Sequence, residues 1–352
     1  MKNPSKKITI VIATLNGRNY LPECLSSIAQ QHYPQNLIKV VVIDNGSFDS
    51  TVGYLRENYP EVKLITNHHN AGFARANNQG YFLARKAKSD YLFLLNQDAV
   101  LEKNCLRRLV ELAESGKDIA AVQPKILLDP EKQLINSFGN NIQYLGFGFC
   151  NFYRHRDNLE LTAPMELAYA SGAALLLKMP ALAKTGLFDE NLFAYHEDLD
   201  LGWRLRLAGY SVWLDPLAVA WHKYTFSKAK YKFYYLERNR WKVILQNYKL
   251  ATLILFLPPL LLMEISMFFY ALLSGWLAEK IRGYGWLLLH IPTILWQRLA
   301  MQYRFRKVKD REILRLFTGM IKSEELQNPL LVYIANPLLA VYFWLVRKII
   351  FW

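Results

Sequence analysis

Two groups of polar residues could do chemistry, and the first follows a strand. The run Tyr91 to Leu95 is apolar without alternation, which is typical of a strand buried on both faces in a parallel sheet. Asn96-Gln97-Asp98 comes directly after it, at the carboxyl end, where open α/β sheets bind ligands. Asp98 could offer a hard oxygen to Mg2+ or Mn2+, and Asn96 a second, neutral one. Taken alone, a strand-to-loop turn explains these residues equally well.

The second group is the densest acidic cluster in the chain. Glu197, Asp198 and Asp200 fall at the start of a predicted helix that continues to about Ala208. The helix dipole favours acidic residues at this position, which explains one or two of them. The aromatic residues beside the cluster in the sequence are Phe188, Phe193 and Tyr195. A carboxylate next to aromatic rings is partly desolvated, and its pKa then rises toward values that suit a general base.

Three further candidates lie at the ends of predicted elements. Asp44 follows a predicted strand at residues 40–43, where it could accept a hydrogen bond from a nucleobase or a ribose hydroxyl. Gly72 allows a tight turn before a helix, whose N-terminus at a sheet edge suits a phosphate. His222 ends a short β run. A packed core histidine is the better explanation of His222 alone, but it could be the ligand that Asp98 lacks.

The elements that must position these residues favour an α/β fold. A strand at residues 8–13, a helix at about 20–30 and a strand at 40–43 follow each other without a hairpin signal, which is typical of a βαβ unit. The sheet is therefore expected to begin parallel. Residues 124–164 are interpreted as an irregular insertion over the site. Residues 209–214 and 218–221 are predicted as two short β runs.

The net charge of +14 is concentrated at one end of the chain. Residues 231–352 contain 17 Lys and Arg against 7 Asp and Glu, an excess of +10 beside the longest apolar runs. This arrangement favours an anionic membrane surface as a partner rather than nucleic acid. The three cysteines form no CxxC pair, so neither a disulfide framework nor a structural zinc site is indicated.

The order of the motifs resembles that of family 2 glycosyltransferases with the GT-A fold. The segments are TLNG, DNGSFDST, NAGFARANNQG, LLNQDA, FDE, YHEDLDLGWR and AWH, and they look like those of bacterial rhamnosyltransferase-type members. The match covers residues 8 to about 225. The resemblance implies a nucleotide-diphospho-sugar transferase domain with a Rossmann-like mixed sheet at residues 1–230. A basic, hydrophobic, membrane-associated helical region is expected at residues 231–352.

The resemblance also implies a nucleotide-sugar site. Thr14 and Asp44 would hold the nucleoside, with Asn16 beside them. The loop beneath it would be shaped by Asn70, Gly72 and Asn78.

Metal and catalytic roles follow from the same resemblance. A divalent metal, Mg2+ or Mn2+, would be bound by Asp98 and His222. The family's DxD motif falls on Asn96-Gln97-Asp98, so its first Asp is Asn96 here, which puts metal affinity in question. Asp198 would be the catalytic base, with Glu197 next to it.

The activity implied is an inverting transfer of a sugar, with rhamnose as one candidate, from a nucleotide-diphosphate donor to a hydroxyl group. A site beside the membrane suggests a lipid-linked glycan acceptor and a role in cell-surface polysaccharide synthesis. A nucleotidyltransferase and a non-catalytic, membrane-tethered protein that binds sugar nucleotides are the alternatives. A dehydrogenase is improbable because no GxGxxG motif follows the first strand.

The C-terminal region is apolar enough for a membrane but irregular. Residues 249–279 exceed the ~20 apolar residues that a helix needs to cross a bilayer. Pro258-Pro259 is expected to break the helix, and Glu264 is costly near its middle. Basic residues flank every apolar segment, so the positive-inside rule assigns no alternation of sides. A hairpin or in-plane helices on the cytoplasmic leaflet of the cell membrane fit best, and true spans are the alternative.

Overall fold

The computed structural model describes residues 5–158, 160–224, 230–322 and 328–352. The strands are β1 (Ile8–Thr14), β2 (Ile38–Asp44), β3 (Lys63–Thr66), β4 (Tyr91–Leu95), β5 (Ala99–Leu101), β6 (Ile119–Leu128), β7 (Ile135–Ser137), β8 (Asn140–Ile142), β9 (Gly148–Cys150), β10 (Met165–Glu166), β11 (Ala174–Lys178) and β12 (Ser211–His222). The first seven helices are α1 (Leu21–Ala29), α2 (Thr51–Asn58), α3 (Phe73–Lys86), α4 (Cys105–Ser115), α5 (Met179–Thr185), α6 (Glu197–Leu207) and α7 (Lys230–Asn247).

The remaining helices belong to the C-terminal third. They are α8 (Leu250–Leu273), α9 (Leu277–Leu289), α10 (Ile291–Ala300), α11 (Asp310–Ile313) and α12 (Asn336–Ile349). A π-helical turn follows α10 at Met301–Phe305, and another precedes α12 at Leu331–Ala335. The division of the chain at residues 230 and 231 stays a prediction.

Ten strands form one mixed sheet in the order β10-β12-β6-β11-β4-β1-β2-β3, with β5 paired to β12 and β7 to β6. β1 pairs in parallel with β2 and with β4, and β2 with β3, so the sheet begins parallel as predicted. β11 is antiparallel to both of its neighbours, β4 and β6. The predicted α/β fold with a mixed sheet is confirmed.

The central strand β4 is buried at every position, which explains its unbroken apolar run. Tyr91, Phe93 and Leu95 belong to one core, which also contains residues of α1 and α4. Leu92 and Leu94 belong to a second core on the other face of the sheet, with residues of α3 and α5. Because both faces are covered, the carboxyl end of β4 has a fixed position between the two helical layers.

Two predictions about the strands beyond β4 were wrong. Residues 124–164, predicted as an irregular insertion, contain the end of β6, which continues to Leu128, and the strands β7, β8 and β9. The two short β runs predicted near the end of the domain are one strand, β12. Pro216 interrupts the alternation there, but β12 keeps its pairing with β6 through a register shift between Asp215 and Val219.

Helix α8 contradicts the expectation that Pro258-Pro259 breaks it. Both prolines lie inside a continuous helix of 24 residues. Proline removes an N–H donor from the helix, but its ring holds φ near the helical value. A helix of this length retains its remaining backbone bonds on both sides of the pair.

Glu264 lies in the middle of α8 and is neutralised by partners on α7 and α9. Its carboxylate accepts hydrogen bonds from Arg240 Nη2 and Trp241 Nε1, each at 2.9 Å, and from the Tyr284 hydroxyl. Lys280 is fully buried, and its Nζ lies 2.5 Å from Glu264 Oε1, the oxygen that also accepts from Tyr284. A charge inside an apolar helix is tolerated when it is paired and hydrogen-bonded, so Glu264 joins α8 to its neighbours.

Two helical segments in the described residues are long and apolar enough to cross a membrane by length and composition, Leu250–Leu273 and Leu331–Ile349. Their outward faces carry large exposed side chains, which include Leu261, Leu262 and Trp344, exposed by 53%, 63% and 53%. Exposed apolar surface of this extent marks a site of contact with lipid or with another protein.

Close packing of α3 on β1 generates a prediction about Gly80. A Cβ atom added at Gly80 would overlap both methyl groups of the buried Val11. We expect Gly80→Ala to lower the free energy of unfolding by ~1–3 kcal/mol, because the core cannot accept the extra volume. The midpoint of thermal unfolding in detergent measures the change.

Gly53→Ala in α2 is the matched control. Nothing lies within 4 Å of a Cβ atom at Gly53. Alanine should therefore stabilise this helix by ~0.5–1 kcal/mol, since it loses less backbone entropy on folding than glycine. Equal midpoints for the two variants would contradict the packing argument.

Candidate active site

Asp44 presents an unpaired carboxylate oxygen at the end of β2. The side chain is 2% exposed, and Thr14 lies opposite it in the pairing with β1. Oδ2 accepts hydrogen bonds from the backbone N–H groups of Gly46 and Ser47, at 3.2 and 3.1 Å. Among the residues that the structure describes, Oδ1 has no hydrogen-bond partner. A buried acceptor without a partner is costly, so Oδ1 is suited to a donor group from a ligand.

Thr14 and Asn16 tie the neighbouring strand ends together. The Thr14 hydroxyl donates to Gln97 Oε1 at 2.5 Å, and the same oxygen accepts from Leu15 N at 3.0 Å. Asn16 Oδ1 accepts from Phe48 N at 3.1 Å, in the loop after β2. Gln97 was not predicted as a site residue, yet it joins the end of β4 to the end of β1.

Asn45 organises the loop before α3. Its Nδ2 donates to Asn70 Oδ1 at 2.9 Å, and Asn70 Oδ1 also accepts from Gly72 N at 2.9 Å. Gly72 has a φ of +88°, and a Cβ atom there would lie 2.6 Å from the Phe193 ring. Glycine is thus required both by the backbone conformation and by the close approach of Phe193.

The side chain of Asn78 forms hydrogen bonds with the backbone of another segment of the protein. Its Oδ1 accepts from Phe188 N at 3.1 Å, and its Nδ2 donates to Phe188 O at 2.9 Å. Asn78 therefore connects α3 to the segment that leads into the acidic cluster.

Asp98 and His222 meet at the carboxyl end of β4. Asp98 Oδ1 lies 3.2 Å from His222 Nε2, because the pairing of β5 with β12 sets His222 opposite Ala99. The other ring nitrogen, Nδ1, is 3.0 Å from Asn136 Oδ1. An amide oxygen only accepts, so Nδ1 donates to Asn136; in a neutral imidazole the electron pair is then on Nε2, which faces the Asn96 amide nitrogen. This tautomer is the one that a metal-binding histidine adopts.

Asp98 and His222 together suit a divalent cation that has two protein ligands. A carboxylate oxygen and an imidazole nitrogen suit Mn2+ or Mg2+, whose other positions are commonly taken by phosphate oxygens and water. No group of three His, Cys, Asp or Glu side chains that could hold a metal occurs within the described ranges. Asn96 directs its amide nitrogen at His222 Nε2, 3.2 Å away, so it contacts the histidine with its N–H group.

Asp198 and Glu197 occupy the first turn of α6. Asp198 Oδ1 accepts from Leu199 N at 2.8 Å, and Oδ2 from Gly172 N at 3.3 Å. Glu197 is 8% exposed, and its Oε2 has no hydrogen-bond partner in the described part of the chain. Burial raises the pKa of both carboxyls, and the charge of Asp198 raises the pKa of Glu197 further. Glu197 therefore keeps its proton at a pH at which Asp198 is ionised.

The third acidic residue of the cluster has a structural role. Asp200 is 1% exposed and its Oδ2 lies 2.6 Å from Arg204 Nε, one helical turn further on. Asn247 Nδ2 donates a hydrogen bond to the other carboxylate oxygen of Asp200, Oδ1, at 3.2 Å. Asp200 therefore joins α6 to α7.

A short connection links the acidic pair to the strand end of β4. Gly172, which donates to Asp198, is followed by Ala173, whose carbonyl accepts from Asn96 N at 2.9 Å. Asn96 in turn contacts His222. The acidic pair, Asp98 and His222 thus lie at the same edge of the sheet.

The turn before α6 has an unusual backbone conformation. Phe193, Tyr195 and His196 have φ values of 63°, 67° and 67°. A left-handed conformation costs ~1–2 kcal/mol for each residue with a side chain, and such strain clusters at functional sites. Burial lowers the pKa of His196 to about 4, so its imidazole is neutral. The Phe193 ring stacks on Tyr235 of α7, with 5.0 Å between the ring centroids.

Two family models match the chain. Residues 9–157 match the model described as glycosyl transferase family 2. Residues 91–346 match the model described as glycosyl transferase family group 2, which covers well over half of the chain.

Curated relatives of the chain carry the names of a glucosamine-polymer synthase and of a rhamnosyltransferase. A poly-beta-1,6-N-acetyl-D-glucosamine synthase of Staphylococcus aureus is 24% identical over 221 residues, which are 61% of this chain and 49% of the relative. An N-acetylglucosaminyl-diphospho-decaprenol L-rhamnosyltransferase of Mycobacterium tuberculosis is 27% identical over 236 residues, 61% of this chain and 76% of the relative. The chain thus spans about half the length of the staphylococcal relative.

Solved structures share the fold. GalNAc-T7 with UDP, GalNAc and Mn2+ has a TM-score of 0.57 at 17% identity, over 71% of this chain and 49% of that one. S. aureus TarS 1-349 has a TM-score of 0.51 at 16% identity, over 97% and 90%. The mixed α/β sheet is that of the GT-A fold. By the family model that covers residues 91–346, this chain belongs to family 2 of the glycosyltransferases.

Proposed function

We propose that the chain is an inverting glycosyltransferase that moves a sugar from a nucleotide diphosphate to a hydroxyl group of a lipid-linked glycan. Rhamnose is the sugar we favour, because one relative carries the name of a rhamnosyltransferase that acts on a diphospho-decaprenol. The observation that carries the proposal is the common sheet edge at which Asp198, Asp98 and His222 lie.

In this mechanism Asp198 is the general base. It takes the proton of the acceptor hydroxyl, and the oxygen attacks the anomeric carbon on the face opposite the diphosphate. The bond from that carbon to the diphosphate breaks, so the configuration inverts. Two backbone N–H groups hold the Asp198 carboxylate while its pKa stays raised by burial. A base with a pKa near the working pH is the more effective one.

The donor nucleotide lies along the ends of β1 and β2 in this proposal. The unpaired Oδ1 of Asp44 accepts an N–H from the base or a ribose hydroxyl. Thr14, Asn16, Asn70 and Gly72 shape the surrounding loops, and Asn78 holds α3 against the segment before the acidic cluster. Asp98 and His222 would hold Mg2+ or Mn2+, and the bound ion would supply positive charge that favours departure of the diphosphate.

The C-terminal third attaches the site to a membrane in this proposal. Helices α8 and α12 expose apolar side chains, and basic residues of the same region lie between the apolar segments. Apolar insertion together with attraction to anionic lipid is the usual basis of in-plane binding. A lipid-linked acceptor would then meet Asp198 at the cytoplasmic surface of the cell membrane.

Asp198→Asn tests the chemistry. The amide keeps the shape of the side chain but cannot take a proton, so the rate of transfer should fall by ~10²-fold or more. Binding of the nucleotide sugar should persist, because Asp44 and the loops around it are unchanged. Calorimetric titration measures binding, and chromatography of labelled products measures transfer.

Glu111→Gln is the control for loss of a carboxylate elsewhere. Glu111 lies on the surface of α4, and its side chain is 57% exposed. Within the described residues, its carboxylate forms an ion pair with Arg107. This variant should transfer sugar like the wild type. Wild-type transfer by Asp198→Asn would remove Asp198 from the role of base and would favour a nucleotidyltransferase or a non-catalytic binding protein.

The raised pKa of Asp198 predicts a pH dependence. The carboxylate is the active form, so kcat should fall as the pH is lowered through the raised pKa, above the ordinary value of ~3.9 for aspartate. Glu197 is still protonated where Asp198 titrates, so Glu197→Gln should leave this acid limb in place. A pH–rate profile measures both, and an acid limb in the ordinary aspartate range would contradict the argument.

Replacement of apolar side chains tests attachment to the membrane. We expect Leu261→Gln combined with Leu262→Gln to weaken flotation with vesicles that contain phosphatidylglycerol, because both side chains face outward from α8. Leu217→Gln is the matched control, since Leu217 is 44% exposed on β12, in the sheet. If flotation were equal for the wild type and both variants, α8 would not be the attachment surface.

A further inference from the structure

One side chain of α7 holds the turn that precedes the acidic pair. The amide nitrogen of Asn239 donates to the carbonyl oxygens of Leu192 and Ala194, each at 2.9 Å, and of Tyr195 at 2.7 Å. Asn239 is fully buried, and its Oδ1 accepts from Arg238 Nε at 3.1 Å. An amide group has two N–H donors and one oxygen, so every polar atom of Asn239 is used.

These bonds are made to a turn that needs support. Phe193, Tyr195 and His196 all have positive φ, which residues with a side chain rarely adopt. Such a conformation persists only where surrounding contacts hold it. Asn239 supplies three of these contacts from outside the turn.

The same turn connects the two halves of the site. Phe193 O accepts from Ala74 N at 3.1 Å, in the first turn of α3, and the Phe193 ring packs on Gly72. At its other end, His196 O accepts from Asp200 N at 2.8 Å and so begins α6, which carries Asp198. A movement of the turn would therefore displace Asp198 relative to the loop before α3.

We propose that Asn239 is a positioning residue for sugar transfer, because it fixes the turn at residues 192–196 and thereby holds Asp198 against Gly172. This inference rests on the proposed function, in which Asp198 is the base. Asn239 itself contacts neither donor nor acceptor, and its effect passes entirely through the backbone carbonyls that it binds.

Two serine variants on the same helix form a matched pair. Asn239→Ser removes the donors to the turn. Asn247→Ser removes an equally buried amide, whose contact is with Asp200 on α6 and not with the turn. For each variant, UDP, dTDP and GDP are titrated to count folded nucleotide-binding sites. The kcat per site is then measured with the donor that the wild type uses.

Asn239→Ser should lower kcat per binding site by ~10²-fold, as expected for a displacement of ~1 Å at a reacting group. The dissociation constant of the nucleotide should stay within about twofold, since the pocket around Asp44 is not touched. Asn247→Ser should keep the wild-type kcat per site. Equal kcat values per site for the two variants would overturn the proposal.

The pH–rate profile separates positioning from loss of folded protein. A loosened turn admits water to Asp198, so the acid limb of kcat should move to lower pH in Asn239→Ser. In the part of the chain that the structure describes, Glu197 on α6 and Tyr169 are the titratable groups that face Asp198, and neither is replaced. An unchanged acid limb together with a lowered kcat would show a merely structural role and would overturn the proposal.

Asn239→Asp provides a second variant if the serine variant binds no nucleotide. Aspartate keeps the acceptor for Arg238 but cannot donate to the three carbonyls, so the same loss of kcat is expected. Failure of this inference can be distinguished from failure of the proposed function. An inactive Asp198→Asn with a fully active Asn239→Ser would refute only this inference, whereas an active Asp198→Asn would refute the assignment of the base.

Discussion

The register of the central sheet decides where the candidate functional groups at the strand ends lie. Thr14 lies opposite Asp44 because β1 and β2 pair in that register, and His222 reaches Asp98 because β12 pairs with β5. A slip of one residue would turn each side chain to the other face of the sheet. Burial of β4 on both faces excludes such a slip, since its alternate residues fill two separate cores. Apolar residues without chemistry of their own thus position the chemical groups.

The parts of the site that could be predicted have local signals in the sequence. The apolar run of β4 and the acidic start of α6 identified the residues around Asp98 and Asp198. Asn136 and Gln97 have no such signal. Asn136 fixes the tautomer of His222 from 86 residues away, and Gln97 binds Thr14 from 83 residues away. Single polar residues whose partners are distant in the chain leave no periodic pattern, so only the folded structure reveals them.

Helix α7 lies between the other helices of the C-terminal third and the segment that leads into α6. On one side, Arg240 and Trp241 of this helix bind Glu264 of α8, which explains a charge that looked costly when α8 was considered alone. On the other side, Lys242 pairs with Asp189, in the segment that leads to the acidic cluster. Polar contacts of α7 therefore connect the helices with exposed apolar faces to the neighbourhood of α6.

The three carboxyls at the start of α6 have different roles because their surroundings differ. Asp200 is paired with Arg204 and accepts a hydrogen bond from Asn247, so both of its carboxylate oxygens are used within the protein. Glu197 is buried without a partner for Oε2 and lies next to a second carboxyl, so it retains its proton. Asp198 is only partly buried and is held by two backbone N–H groups, so it is the first of the adjacent pair to ionise. Neighbouring groups whose pKa values are pushed apart define acid and base. Of these three side chains, Asp198 is the one that has an ionised carboxylate able to accept a proton and also contacts the edge of the sheet where Asp98 and His222 lie.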